Sequence, residues 1–124
     1  MKPSVLIIED NEQNMYMLSY LLKKNNYKIL EAYNGVEGLQ LAHDKHPEII
    51  LLDIQLPDMD GYEICVKLRH NGLPKSTTII AVTSYAMGGD REKALEAGAD
   101  GYIEKPINPD TFLSQMENIH SAKK

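Results

Sequence analysis

The stretch IILLDIQLPDMDG, residues 49–61, decides the fold. Four consecutive apolar residues lead into a single carboxylate, Asp53, and Pro57 and Gly61 punctuate the segment that follows. A short apolar run closed by turn residues is typical of a strand buried on both faces of a sheet. Asp53 would then lie at the carboxyl end of that strand, where ligands of open α/β sheets bind. Taken alone, Asp53 is better explained as a turn cap, so its interpretation depends on the other strands.

Four further segments have the character of strands and alternate with segments of helical periodicity. Such alternation predicts a parallel sheet covered by helices on both faces. Right-handed crossovers then favour a flavodoxin-like (βα)5 three-layer sandwich with strand order 2-1-3-4-5. The second strand is the least apolar, which predicts that it lies at an edge. Besides Ile49–Asp53, the predicted strands are Ser4–Glu9, Lys28–Ala32, Thr78–Thr83 and Gly101–Lys105.

Capping residues predict where the helices begin and end. Two capping boxes and one Asn-Pro pair predict three helix starts: Asp10 with Gln13, Asp60 with Glu63, and Asn108 with Pro109. A further helix is predicted over roughly 90–97, with Gly98 as its C-terminal cap. We expect Gly88-Gly89 to be flexible and residues 121–124 to form a short frayed tail.

The length and composition indicate one compact globular domain, residues 1–120, without a further linker or repeat. The chain has 124 residues, of which 43% are hydrophobic and 25% charged, and these are ordinary values for a globular protein. The net charge of −5 argues against sequence-independent nucleic-acid binding. The single cysteine, Cys65, excludes an intrachain disulfide and is interpreted as a buried hydrophobe. No signal peptide or membrane-spanning stretch is evident, so we expect a cytoplasmic protein.

Polar side chains end four of the predicted strands, and strand order 2-1-3-4-5 would bring them to one edge of the sheet. Carboxylates held together repel one another, and a divalent cation relieves that repulsion. An all-oxygen ligand set that leaves room for water favours Mg²⁺ over zinc. Lysine and hydroxyl groups beside the metal suit phosphoryl oxygens, and an ionised aspartate there can attack phosphorus. The residues concerned are Glu9, Asp10, Asp53, Thr83 and Lys105.

Each of these residues also has a purely structural explanation, such as a helix cap, a strand former or a solvated edge. Together those explanations would require four coincidences at one edge, so we favour a site. His43 and His46 lie three residues apart and form a candidate metal pair. Because no cysteine or third histidine is near them in sequence, a solvated helix end is the better interpretation.

The motifs VLIIEDN (5–11), LLDIQLPDMDGYE (51–63), IIAVTSYAM (79–87) and EAGADGYIEKPI (96–107), with their spacing, resemble the receiver domains of two-component response regulators. The resemblance covers essentially the whole chain. It implies that Asp53 accepts a phosphoryl group from a histidine kinase or a histidine phosphotransfer protein. It also implies bound Mg²⁺, for which Mn²⁺ could substitute, held by Asp10, Asp53 and the main-chain carbonyl of Gln55, with Glu9 acting through water.

The same resemblance assigns further roles. Thr83 and Lys105 would hold the phosphoryl oxygens, and the Lys105–Pro106 peptide bond would be cis. Tyr102 would be the switch residue that turns inward as Thr83 moves toward the phosphoryl group. The alternative interpretation of Tyr102 is a tyrosine that packs at a strand edge and undergoes no switch.

Several positions depart from the commonest pattern of the family. Glu9 replaces a frequent aspartate, and Ser84 stands where alanine is usual. The Ser84 hydroxyl narrows the space beside the phosphoryl group. Gln55 and Tyr85 lie two residues after Asp53 and Thr83, at positions expected to govern attack by water, so the lifetime of the phosphorylated form stays open.

The chain is similar to stand-alone receivers of the DivK type, which act in cell-cycle or developmental signalling. The resemblance implies output to a downstream protein through the fourth helix, fifth strand and last helix, with no nucleic-acid or membrane partner and no catalysis beyond its own phosphorylation and dephosphorylation. A receiver fragment of a hybrid histidine kinase or a longer regulator remains an alternative.

Three weaker alternatives are a haloacid-dehalogenase-like phosphatase, a flavin carrier and an unphosphorylated interaction module. The first family carries a second aspartate two residues after its nucleophile, where this chain has Gln55. The second would need a Gly/Ser/Thr-rich phosphate loop after the first strand. The third leaves the retained acidic residues unexplained.

Overall fold

A computed structural model describes residues 3–84 and 90–123, excluding the Asp90 side chain. Within those ranges, five strands alternate with five helices, as the sequence pattern predicts. Three strands have the predicted bounds, and the first and last strands each end one residue early. In chain order the elements are β1 (Ser4–Ile8), α1 (Glu12–Lys24), β2 (Lys28–Ala32), α2 (Gly35–Lys45), β3 (Ile49–Asp53), α3 (Gly61–His70), β4 (Thr78–Thr83), α4 (Asp90–Ala97), β5 (Gly101–Glu104) and α5 (Phe112–Ala122).

The strands form one parallel sheet in the order β2-β1-β3-β4-β5, which confirms the predicted flavodoxin-like topology. β2 lies at an edge, as its lower apolar content predicts. In the register of the sheet, Ile8 pairs with Leu52 and Asp53 with Val82. The carboxyl ends of β1, β3 and β4 therefore meet at the same edge.

Two apolar layers hold the helices on the sheet, because alternate residues of each strand face opposite sides. On one side, Leu6, Ile50 and Ile79 pack with residues of α2, α3 and α4, among them Ile64 and the buried Cys65. On the other side, the alternating strand residues pack against α1 and α5. Phe112 and Met116 of α5 are fully buried in this second layer.

Two predicted helix starts are wrong. The N-cap of α1 is Asn11, whose side chain accepts a hydrogen bond from the Asn14 main-chain N–H at 2.9 Å, and not Asp10. Asn and Asp cap equally well, and this choice leaves the Asp10 carboxylate free of the helix. At α5, Asn108 instead accepts a bond from the Asp110 N–H at 2.9 Å. Its side chain thus forms a local turn, and the helix begins four residues later, at Phe112.

The third predicted start is confirmed, since Asp60 caps α3 through the Tyr62 N–H at 2.9 Å. Glu63 does not complete the predicted capping box. Its Oε1 atom lies 3.5 Å from the Lys67 ammonium instead. Gly98, with φ +115°, ends α4 in the left-handed conformation, as expected.

The expectation of a frayed tail is wrong for residues 121–122, which continue α5. The Lys123 ammonium lies 2.7 Å from Asp100 Oδ1, and this ion pair holds the end of the helix against the sheet. His43 and His46 are exposed, and His46 caps α2 with φ 49°. Tyr85 and Gly88-Gly89 lie outside the described residues. Across the part of the chain that the structure describes, we find no helix with the length and apolar character needed to cross a membrane.

Candidate functional site

The carboxyl ends of β1 and β3 gather three carboxylates at one edge of the sheet. One ligand oxygen each from Glu9, Asp10 and Asp53 lies within 4.8 Å of the others. Glu9 and Asp53 are 2% exposed, whereas Asp10 is open to solvent. They line an open cleft of about 990 Å³. The geometry therefore brings together the acidic residues that the sequence placed at this edge.

Lys105 supplies the positive charge of the cluster. Its ammonium lies 2.9 Å from Glu9 Oε1 and 3.3 Å from Asp53 Oδ1. The main-chain N–H of Lys105 donates to the Thr83 carbonyl at 2.7 Å, and the Lys105–Pro106 peptide bond is cis. The end of β5 is thus bonded to the end of β4, which aims the lysine side chain across the sheet edge at the carboxylates.

Burial and neighbouring charges shift the pKa values of two residues in this cluster, Glu9 and Lys105. Burial, reinforced by the negative charge of Asp53, raises the pKa of Glu9 from 4.5 to about 7, although the hydrogen bond from Lys105 opposes the shift. Burial lowers the pKa of Lys105, but the hydrogen bond to Glu9 and the charges of Asp53 and Glu9 outweigh it, so that this pKa is raised. Glu9 therefore takes up a proton closer to neutral pH than an ordinary carboxylate does.

Two hydrogen bonds fix the loop after β3 beside the cleft. The Gln55 N–H donates to Asp53 Oδ1 at 3.0 Å, and the Ser84 hydroxyl donates to the Gln55 side-chain carbonyl oxygen at 2.7 Å. Ser84 follows β4, so this bond spans the cleft mouth between the β3 and β4 loops. The Ser84 hydroxyl thus contacts Gln55 in the lining of the cleft, while the narrowing beside a phosphoryl group stays a prediction.

Thr83 and Tyr102, the two predicted switch residues, lie on β4 and β5. Thr83 ends β4 and is 1% exposed, while the next residue, Ser84, lines the cleft. Tyr102 is half-buried and pairs in register with Ala81. Because its neighbour Ile103 points into the layer shared with α1 and α5, Tyr102 faces the α4 side of the sheet.

The sequence reasoning missed one residue that anchors the loop after β3. The Asp58 carboxylate accepts bonds from the Gly35 N–H at 2.8 Å and the Val36 N–H at 3.1 Å, and so caps α2 from the β3–α3 loop. These backbone bonds lower the pKa of Asp58. No local pattern signals this contact, because Asp58 and the helix that it caps are more than 20 residues apart in the chain.

Comparisons with known proteins agree with this geometry. The family model described as the response regulator receiver domain matches residues 5–117. The polar-differentiation response regulator DivK of Brucella ovis is 38% identical over 118 residues, which cover 95% of this chain and 96% of that protein. It is thus a relative of similar length.

Solved structures show the same fold. A CheY-like receiver domain protein from Methanospirillum hungatei JF-1 superposes with a TM-score of 0.90 at 30% identity, covering 99% of this chain and 97% of that one. The receiver domain of the sensor histidine kinase PA1611 from Pseudomonas aeruginosa PAO1, solved with magnesium coordinated in its active site cleft, superposes with a TM-score of 0.86 at 27% identity, covering 98% and 99%. The chain therefore belongs to the family of response regulator receiver domains.

Proposed function

We propose that this receiver domain is a Mg²⁺-dependent phosphoacceptor switch of a two-component phosphorelay, in which Asp53 takes the phosphoryl group. The observation that carries the proposal is the position of the buried Asp53 carboxylate, beside Glu9 and Asp10 and 3.3 Å from the Lys105 ammonium. An acidic cluster with one cation at its centre suits an incoming phosphoryl group once a metal neutralises the carboxylates.

The donor set fits Mg²⁺ chemically. The ligand atoms of Glu9, Asp10 and Asp53 are all carboxylate oxygens, which Mg²⁺ and Mn²⁺ prefer, and the open cleft leaves room for water ligands. Those three residues, with Glu9 acting through water and the main-chain carbonyl of Gln55 as a further ligand, would hold the ion. When bound, the metal would neutralise charge on the phosphoryl oxygens.

The positions of the side chains support the following transfer step. An Asp53 carboxylate oxygen attacks the phosphorus of a phosphohistidine on the donor protein, the P–N bond breaks, and the histidine nitrogen leaves with the bonding electron pair. The product is an acyl phosphate on Asp53. Lys105 pairs with a phosphoryl oxygen in place of its present carboxylate partners, and Thr83 donates its hydroxyl to another oxygen.

The output follows from the movement of Thr83. As its hydroxyl turns toward the phosphoryl group, space opens on the α4 side of β4, and Tyr102 on the neighbouring strand turns inward. The surface formed by α4, β5 and α5 then changes its affinity for a downstream protein. The similarity to DivK over nearly the full length of DivK supports a signalling role of that type. The alternative is a receiver that works within a sensor kinase, and the likeness of this chain to the PA1611 receiver supports that alternative.

Phosphorylation by a small donor tests the proposal directly. Incubation with acetyl phosphate and Mg²⁺ is expected to add one phosphoryl mass to the intact chain, and peptide mapping should place it on Asp53. Chelation of the metal should remove the labelling, and Mn²⁺ should restore it. A phosphoryl group on another residue, or labelling that is unaffected by a chelator, would contradict the proposal.

The raised pKa of Glu9 makes metal binding pH-dependent. Because the folded-state pKa of about 7 lies above the ordinary value of 4.5, the stability that protonated Glu9 contributes is present below 4.5 and is lost as pH rises through 7. Mg²⁺ needs the ionised form, so its affinity should fall by up to about tenfold per pH unit below 7. Thermal unfolding with and without Mg²⁺ at pH 6 and pH 8 measures this: stabilisation by Mg²⁺ should be larger at pH 8. The variant Glu9→Gln should flatten the dependence, and a dependence of unchanged size in that variant would exclude Glu9.

Replacing Lys105 by alanine is expected to separate metal binding from switching. The three carboxylates remain, so Mg²⁺ should still bind, whereas labelling by acetyl phosphate should slow by about tenfold without the lysine charge. The Tyr102 ring, followed by NMR of labelled tyrosine on addition of beryllofluoride, should no longer respond. Lys67→Ala on the surface of α3 is the matched control. A wild-type Tyr102 response in Lys105→Ala would contradict the role given to Lys105.

A further inference from the structure

A second concave site lies between α1 and the edge strand β2, and three tyrosines surround it. The tyrosine pocket, as we call it, is lined by Tyr16, Tyr20 and Tyr33 together with Glu12 and Glu31, and has a volume of about 490 Å³. The three side chains are 73%, 58% and 41% exposed. They are three of the six large apolar or aromatic side chains exposed within residues 3–84 and 90–123, and such a concentration indicates an interaction surface.

The tyrosine pocket adjoins the acidic cleft, because Glu12 at the start of α1 lines both, but its tyrosines lie outside the cleft. Asn14 and Met17, on the neighbouring face of α1, line the cleft around Asp53, whereas Tyr16 and Tyr20 do not. β2 lies at the opposite edge of the sheet from β5, so the pocket and β5 are at opposite edges. A partner bound at the tyrosine pocket would therefore contact the rim of the acidic cleft only at Glu12.

The pocket is preorganised. The Tyr16 and Tyr20 rings stack one turn apart on α1, with centroids 6.4 Å apart and planes inclined by 18°. The Ser19 hydroxyl donates to Glu31 Oε2 at 2.5 Å, which fixes that carboxylate against the helix. The Glu37 carboxylate accepts from the Tyr33 N–H at 2.9 Å and adds a third negative charge nearby. Little rearrangement is therefore needed for a ligand to bind.

The charge of the pocket favours a cation. Partial desolvation and the negative charges of Glu31, Glu12 and Glu37 raise the pKa of Tyr33, as expected in an anionic field. At the other end, the Lys24 ammonium lies 6.0 Å from the centroid of the Tyr20 ring, so one ring already takes a cation on its face, and Lys23 completes the lining. Aromatic faces beside carboxylates are the surroundings that bind cationic groups.

We propose that the tyrosine pocket is a docking site for an arginine side chain carried by a protein partner. A guanidinium stacks flat on a tyrosine ring while its N–H groups reach a carboxylate, and Tyr16 with Glu12 and Glu31 offers both partners in one cavity. A lysine has no planar group to stack. Tyr16 and Glu31 do not line the acidic cleft, and only Glu12 is shared with it, so docking on the rings does not require phosphorylation.

An arginine peptide tests this inference on the intact chain. Acetyl-tetra-arginine amide, titrated into the ¹⁵N-labelled protein with excess Mg²⁺, should shift the amide signals around Tyr16, Tyr20 and Tyr33, and acetyl-tetra-lysine amide should bind more weakly. Tyr16→Leu should weaken binding by about threefold to fivefold, whereas Tyr16→Phe, which keeps the ring, should nearly restore it. Glu31→Gln should weaken binding, and Glu63→Gln, an exposed acid of α3 outside the pocket, should not.

Three results would overturn the inference. The first is a set of shifts confined to the acidic cleft, and the second is equal losses in Glu31→Gln and Glu63→Gln, because both would show binding by charge alone. The third is self-association of the chain that Tyr16→Leu abolishes, because the occupant of the pocket would then be a second copy. Circular dichroism and thermal unfolding of each variant confirm that the fold is intact before binding is compared.

Discussion

Asp53→Asn is expected to abolish labelling by acetyl phosphate and, in the same protein, to stabilise the metal-free fold. The amide has no anionic oxygen with which to attack phosphorus, so no acyl phosphate forms. Its oxygen can still accept the hydrogen bond from the Gln55 N–H that Asp53 accepts at 3.0 Å. The loss of function would therefore not come from a loosened loop.

The stability gain in Asp53→Asn follows from charge. Asp53 is one of the causes that raise the pKa of Glu9, and its removal leaves Glu9 paired with Lys105 at 2.9 Å. We expect the free energy of unfolding at pH 8 without metal to rise by about 1 kcal/mol, and the added stabilisation by Mg²⁺ to shrink. Intact-mass spectrometry and chemical unfolding measure the two effects.

Asp58→Asn is the matched control, five residues along the same loop. It should keep full labelling, because Asp58 contacts the start of α2 and not the acidic cluster. Asp58→Asn should also lower the free energy of unfolding, because a neutral amide replaces the carboxylate that accepts two N–H groups at the start of α2. Labelling of Asp53→Asn at the wild-type level, or a loss of labelling in Asp58→Asn that equals the loss in Asp53→Asn, would remove Asp53 from its proposed role.

The sequence predicted the sheet well because buried parallel strands carry a strong local signal. The bounds of β2, β3 and β4 were predicted correctly, since each apolar or β-branched run ends at a polar residue or a turn. The starts of α1 and α5 were not, because two or more residues in each region are able to cap. Asn11 competes with Asp10, and Thr111 takes the N-cap position of α5 without a side-chain capping bond, three residues after Asn108. Local propensity does not choose between such neighbours; the docking of the strand end and the helix onto the sheet does.

The candidate site was likewise predictable from the sequence only in part. Topology alone brings Glu9, Asp10, Asp53 and Lys105 to one edge, so their proximity could be predicted once the strand order was known. The bond between Ser84 and Gln55, and the tyrosine pocket, join segments that are distant in sequence and depend on side-chain direction. Neither has a periodic or motif signal, and only coordinates reveal them.

Gly61→Ala is expected to destabilise the protein by about 3 kcal/mol, although alanine normally favours a helix. A Cβ atom at Gly61, the first residue of α3, would collide with the Ile54 Cα and would lie 2.9 Å from the Asp53 carbonyl oxygen. Both contacts are with backbone, which cannot rotate away. The Gly61 N–H also donates to the Ile54 carbonyl at 2.9 Å, so the loop between β3 and α3 is closed at this point. Chemical unfolding measures the loss.

Gly61→Ala should also disturb the acidic cluster, because Ile54 lies between Asp53 and Gln55. A shift of that backbone displaces the bond from the Gln55 N–H to Asp53 Oδ1 and the proposed metal ligand at the Gln55 carbonyl. We expect Mg²⁺ affinity to fall by about tenfold, the usual cost of disturbing the surroundings of a metal ligand. Gly72→Ala is the control, since Gly72 has φ +86° but no atom within 4 Å of the point that an added Cβ would occupy. It should cost about 1 kcal/mol through backbone strain alone and leave Mg²⁺ affinity unchanged. Equal effects of the two substitutions on Mg²⁺ would show that the β3–α3 loop does not position the site, and that the DMDG segment serves only the fold.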